Sequence, residues 1–427
     1  MLKRLLAYRN LLFILILLNS GVFFLTDDKK AGIPYLRELY LFGIIAAAAA
    51  LCLVWRRVYQ SKTALWIVFL GVVLPVASAC LAYLNWGQPL AYGILEERRS
   101  FLWLSFFIAL FLLIKTRPTQ RQVEDFFVNS AIFASIVGFM YYFSIIPDNT
   151  NVSFNMDEVD WGDNPLRPDR YRIGSGYVTI AAFVLLYRLR DRLSVGRLLL
   201  LLYFAAYLWL VIQTRQTMLT WALAALWIFR TRIDSLIKVG SLAGFILVAS
   251  LFLMPDFWNE QYERFNALLF EATEGPGVRD RTIAIIMEAV RDNNYIGLGA
   301  LSLQWNGGFH TIYNPNFYLS DVGIVGVYYR YGFFTPLIAV LFYAFYLRAM
   351  KRCRDKGPLL SAFQLSFWFS MINMVMSNAI MYGGSQLGIS IACFIYYAKV
   401  QAAASREYYQ ANQVSYDPIQ YRNYKLE

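Results

Sequence analysis

The sequence predicts an all-α polytopic membrane protein of about twelve transmembrane helices, with a long extracytoplasmic loop containing amphipathic helices between spans nine and ten. Three observations predict it. Hydrophobic residues make up 58% of the 427-residue chain and charged residues only 16%, far from a soluble average. Mean hydropathy is +0.44. Apolar runs recur at lengths that suit a hydrocarbon core roughly 30 Å thick, which takes about 20 helical residues, or fewer where the bilayer thins.

The runs follow one another closely. The first, Leu11 to Leu25, has a basic start like a signal peptide, but Asn19, Ser20 and Gly21 lead into more apolar residues with no A-x-A site, so it reads as a retained span. Leu39 to Trp55, Ala64 to Leu84, Ser100 to Ile114, Phe126 to Ile146 and Ser175 to Tyr187 complete the first half. The second half holds Leu198 to Thr214, Gln216 to Phe229, Ile237 to Met254, Asp321 to Leu347, Leu359 to Met381 and Gln386 to Lys399. Residues 1–400 thus form a single transmembrane domain, followed by a tail at 401–427. That tail carries Tyr408, Tyr409, Tyr416, Tyr421 and Tyr424, which suit either phosphorylation or adhesion to the bilayer surface.

Orientation follows from the basic residues, because Lys and Arg are retained on the cytoplasmic side of short loops. With the N-terminus inside, most of the 39 Lys and Arg fall in cytoplasmic segments, among them Lys3, Arg4, Arg56, Arg57, Arg188, Arg190, Arg192, Lys351, Arg352 and Arg354. Both termini are then cytoplasmic, and the net charge of +11 is topological. It does not indicate nucleic-acid binding, which wants a basic stripe on a soluble surface. Cys52, Cys80 and Cys393 fall within spans and Cys353 in a cytoplasmic loop, with neither disulfide nor metal spacing.

Three segments are expected outside: Asn85 to Arg99, Pro147 to Gly174, and the loop at about 255–320. The second is rich in acids and asparagines, then gathers Arg167, Arg170 and Arg172 at the mouth of span six. In the long loop Trp258, Tyr262, Phe265, Leu268 and Leu269 recur at helical spacing, which predicts an amphipathic helix on the interface. A break at Gly275 to Gly277 ends it. A second helix runs from about Asp280, with Ile283, Ile286, Met287 and Val290 on one side, to Asn293 and Asn294. Beyond lie Gly297, Gly299, Gly307 and Gly308 among Trp305, Phe309, His310 and Tyr313, a pattern that fits a sugar-stacking wall or an irregular loop.

An arginine in or near hydrocarbon costs several kcal/mol unless it faces a cavity or a partner. Arg215 is the only charge between Leu198 and Phe229, at QTRQT where two short spans meet. There its guanidinium either snorkels to headgroups or makes bidentate bonds to phosphate. Arg330 lies a turn or two inside span ten, and Arg172, Arg279 and Arg281 are candidates for the same mouth. Together they would form an electropositive pocket for a lipid-linked phosphate. The chain has no phosphate-binding P-loop, and with His310 its only histidine, zinc sites of two or three histidines are excluded.

On these residues the chain resembles the O-antigen polymerase and O-antigen ligase superfamily, bacterial inner-membrane glycosyltransferases. The features that match are the twelve-span plan, QTRQT at the start of a span, and GVRDRTIAIIMEAVRDNNYIGLG followed by NPNFYLSDVGIVGVYYRYG leading into span ten. The ligases tend to carry a histidine where this chain has Pro315, although Asn316 and Leu319 fit; His310 lies five residues earlier. The nearby SDVGIVG is more similar to the polymerases.

The resemblance implies polymerisation of undecaprenyl-diphosphate-linked oligosaccharide repeats at the periplasmic face, with inversion and without a metal or cofactor. Donor and acceptor glycans and membrane lipids are the implied partners, with room for a chain-length regulator. Arg215 and Arg279 would stabilise the leaving diphosphate, with Arg281, Arg172 and Arg330 binding it. His310 or Asp321 would take or orient the acceptor proton, and Trp305, Phe309, Tyr313 and Trp161 would stack on sugars unless they are interfacial anchors. Two alternatives stay open: a ligase that transfers glycan to the lipid A core, and a transporter or flippase for lipid-linked sugars. Against transport stand the large outer loops and the absence of a convincing internal repeat.

Overall fold

The computed structural model describes residues 2–26, 31–55, 61–147, 149, 170–270, 277–315, 317–375 and 378–414. Among them the regular structure is helical, with two isolated β-bridges, Phe24 to Ile33 and Ile296 to Gly332. The helices are α1 (Leu2–Asn19), α2 (Leu36–Val54), α3 (Lys62–Trp86), α4 (Leu90–Thr116), α5 (Gln120–Tyr142), α6 (Ser175–Asp191), α7 (Val195–Ile212), α8 (Arg215–Phe229) and α9 (Ile233–Leu253). After them come α10 (Pro255–Phe270), α11 (Val278–Asp292), α12 (Phe309–Ile312), α13 (Ile324–Tyr331), α14 (Thr335–Lys351), α15 (Pro358–Ile372), α16 (Ala379–Tyr382) and α17 (Gly384–Val414). Seven of them, α2, α3, α4, α5, α7, α9 and the Gly384–Ser405 part of α17, are long and apolar enough to cross a membrane; Ala7–Asn19 and Pro358–Ile372 are shorter apolar helices.

A helix lies on every apolar run read from the sequence, with four departures. The first helix stops at Asn19, and Phe24 forms a parallel bridge with Ile33 rather than the run staying helical to Leu25. The fourth helix begins at Leu90, so Leu90 to Arg99 of the segment expected as an outer loop is helical. The tenth run is cut in two at Gly332, because the loop chain is inserted there: Phe333 N donates to Tyr295 O at 3.0 Å. The eleventh ends at Ile372, and Asn378 caps the separate turn α16 by accepting from Met381 N. The last helix passes residue 400 and runs to Val414, while the tyrosines 416, 421 and 424 lie outside the described residues, as do Trp161 and Arg167.

Packing places α6 at the centre. Val178, Ile180, Ala181, Ala182, Phe183 and Val184 are all buried, as expected of a helix that is apolar all round; α5, α8 and α15 pack along it. α17 lies along α4. By contrast α9 buries only Val239 and turns Phe245, Phe252 and Leu253 outward, the face a lipid-contacting helix presents. α3 and α4 approach closely because Gly93 faces Ala79, where a Cβ would lie 2.7 Å from the alanine Cβ. Gly93→Val is expected to lower stability by about 1–3 kcal/mol through overpacking, read as a lower thermal midpoint in detergent.

Contacts define two ends of the bundle. At one, Gly32 N donates to Tyr141 OH, Tyr171 N to Val211 O, and Asn85 Nδ2 to Gly297 O; this is the loop end. At the other, Tyr397 OH donates to Pro118 O and Arg232 Nη1 to Arg190 O. A buried pair sits near that second end: Arg188 Nε donates to Glu124 Oε2 at 2.9 Å.

Candidate functional site

The loop end is built around residues Ile296 to Ser302. This stretch cannot be helical where it passes, because Gly299 holds φ +74 and a Cβ there would lie 2.3 Å from Ser78 O and Ala82 N. Only glycine takes both the conformation and the approach. Backbone bonds join it to α13, with Leu298 N donating to Tyr329 O at 2.8 Å. The α3–α4 turn grips its other edge. Trp86 Nε1 donates to Leu298 O and Gln88 Nε2 to Ala300 O, each at 3.2 Å, while Gln88 Oε1 accepts from Ser302 N at 2.7 Å.

Around this stretch the loop has an apolar core of its own. Ile286 and Val290 of α11 pack with Leu298, Leu301, Phe309, Phe317, Leu319, Val322 and Tyr329. Of the face read from sequence, Ile283 is partly buried and Met287 is exposed. The helix is therefore rotated so that Thr282 faces inward in its place.

Beneath the loop core lies a buried ion pair. Arg330 and Glu97 are each 1% exposed, and Arg330 Nε donates to Glu97 Oε1 at 2.6 Å. The other guanidinium nitrogens are used too, Nη1 on Gly326 O at 3.0 Å and Nη2 on Tyr382 OH at 2.7 Å. Ser78 Oγ donates to the same carboxylate oxygen at 2.8 Å and accepts from Ala300 N at 3.1 Å. Arg330 is thus engaged by the protein itself rather than standing open at a mouth, which differs from the substrate-binding role expected from sequence. Glu97, Ser78 and the Asn85–Trp86–Gln88 turn carry this arrangement and were not singled out by sequence. The only available signal was the carboxylate pair Glu96 and Glu97 beside an apolar run.

The remaining candidates fall into two groups. Arg170 is bonded to the α7–α8 turn, which ends in Arg215, where α7 closes in a π-helical turn and Gln213 takes φ 50; Arg172 follows Tyr171, whose N donates to Val211 O. Arg170 donates from Nε to Ile212 O at 3.3 Å and from Nη2 to Thr214 Oγ1 at 3.2 Å. Arg215 is the half-buried first residue of α8, and Arg172 is exposed. Trp209 Nε1 donates to Gln261 Oε1 at 3.2 Å, which seats α10 beside this turn. Arg279 and Arg281 are exposed in the first turn of α11.

The second group is in the loop. The half-buried His310 ring meets Tyr318 edge-on at 5.7 Å, and burial lowers its pKa, which favours neutral imidazole. Asp321 is exposed and accepts from Ser320 Oγ at 3.2 Å. Burial, then the Asp321 charge, raises the Tyr318 phenol. Tyr313 stands inside the aromatic cluster, 4.7 Å from Phe317 and hydroxyl to hydroxyl with Tyr329 at 3.0 Å; Trp305 packs on the same core. Tyr313 therefore serves as a wall of the loop core, with much of its ring already covered. Among the described residues no group of three or more His, Cys, Asp and Glu side chains is set to hold a metal.

No protein-family model, curated protein or solved structure matches this chain.

Proposed function

We propose that the chain is a bacterial inner-membrane glycosyltransferase that polymerises undecaprenyl-diphosphate-linked oligosaccharides, with all twelve apolar runs spanning the bilayer, both termini cytoplasmic and the loop end periplasmic. The observation that carries this reading is that Arg170 is bonded to the turn at which Arg215 takes the first position of a helix. Cations are disfavoured at a helix N-terminus unless an anion joins them, and a diphosphate at the membrane surface is such an anion. Arg279 and Arg281 stand in the first turn of α11, with Asp280 between them.

In the proposed reaction the bond between sugar C1 and the diphosphate oxygen breaks as an acceptor hydroxyl bonds to C1 from the opposite face. The arginines stabilise the charge left on the diphosphate. The hydroxyl proton passes to neutral His310 or to Asp321.

The test is incubation of purified protein in nanodiscs with an undecaprenyl-diphosphate oligosaccharide, resolving products by gel and mass. A repeat-unit ladder with release of undecaprenyl diphosphate is expected. A single transfer, seen only with a lipid A core acceptor, would make it a ligase. No new glycosidic bond would end the reading.

A further inference from the structure

Within α4 the stretch Glu97–Leu104 is a 3₁₀ helix, long for a form that rarely exceeds three or four residues and that eclipses side chains three apart. Glu97, Ser100 and Trp103 therefore share one face, and all three are buried. Each makes a side-chain bond to a distant part of the chain. Glu97 accepts from Ser78 and Arg330, Ser100 Oγ donates to Met381 O at 3.0 Å, and Trp103 Nε1 donates to Ile380 O at 3.1 Å. The partners are α13, α16 and, through Ser78, the backbone of Ala300.

From this geometry we infer that the 3₁₀ face of α4 positions the loop: Glu97, acting through Ser78 and Arg330, holds Leu298 to Ser302 and α13 in one register over the bundle. A single carboxylate oxygen serves both sides. It binds Arg330, whose helix packs against α11, and Ser78, whose hydroxyl takes the Ala300 amide. Arg279 and Arg281 start α11, so their placement depends on the same anchor. Glu97 and Ser78 are positioning residues, acting at a distance from any substrate. The anchoring stands on the contacts alone; its consequence for chain extension rests on the polymerase reading.

The experiment is amide hydrogen exchange on the full-length protein in detergent, comparing Ser78→Ala and Glu97→Gln with the parent, alongside kcat and KM for chain extension. Ser78→Ala removes one hydroxyl and leaves the ion pair, so the protein remains folded. Exchange at Leu298 to Ser302 is expected to rise about tenfold, the effect of losing roughly 1.4 kcal/mol of hydrogen bonding, while α6 and α15 keep their protection. Glu97→Gln leaves the buried Arg330 charge without its carboxylate and is expected to raise exchange at Leu298 to Ser302 and in α13 further than Ser78→Ala does. In extension, kcat falls and KM for the donor changes little. Unchanged exchange at Leu298 to Ser302 in folded Ser78→Ala overturns the inference, as does a rise spread evenly over all helices. Absence of extension by the parent protein would remove the polymerase reading while leaving the exchange result to decide the anchor.

Discussion

Arg330→Ala is expected to cost about 3–5 kcal/mol, the penalty for breaking a buried ion pair from one side, and to lower the thermal midpoint more than any other substitution considered. The loss is larger than that of one interaction. Glu97, 1% exposed, would keep a buried charge with Ser78 as its remaining donor among the bonds described above, and Gly326 O and Tyr382 OH would each lose a donor. Attraction between the charges does not by itself explain the cost, because desolvating both offsets much of it. The double variant Glu97→Gln, Arg330→Met is therefore expected to recover a large part of the loss. Unfolding in detergent, followed for both singles and the double, measures the coupling between the two sites. A midpoint for Arg330→Ala within a degree or two of the parent would mean that the pair is not closed in the membrane.

Arg215→Ala is expected to reduce chain extension by about 10²–10³-fold, the range seen when one donor to a developing anion is removed. Protein level and thermal midpoint should hold, because Arg215 is half-buried at a helix start, where alanine is readily accommodated in the helix. Arg215→Lys is expected to recover only part of the rate. It keeps the charge and loses the two-pronged planar donor that matches a phosphate. Initial rates on the lipid-diphosphate oligosaccharide decide the matter, and parent-like extension by Arg215→Ala would remove this residue from the reaction.

How much of this was legible in the sequence depended on the range of the forces involved. Apolar runs are local, and each of those read from composition has a helix on it. The α11 helix was legible for the same reason, from Ile283, Ile286 and Val290. Its rotation was not, because whether Thr282 or Met287 turns inward is set by what α13 and the 297–301 stretch present to it. The break at Gly332 is another long-range effect: nothing near it announces that Tyr295 will insert its carbonyl there. At the site, Arg215 and Arg330 looked alike as single charges in apolar surroundings. One lies at a helix start on the loop end, and the other is closed off by a carboxylate far away in the sequence. Glycines beside aromatics suggested a sugar wall or an irregular loop, and Tyr313 proved to have Phe317 and Tyr329 around it.

The separation of Glu97 from Arg330 along the chain is 233 residues, and a membrane protein is made from its N-terminus onward. Helix α4 emerges from the ribosome with its carboxylates long before the arginine that will neutralise one of them exists. At roughly 5–20 residues per second, the wait is about 12–47 s. During that interval Glu97 lacks its Arg330 partner, so burying its charge costs more than it does once α13 is in place. The ion pair therefore closes late in synthesis, and a chain that stops before residue 330 has Glu97 without the arginine that pairs it.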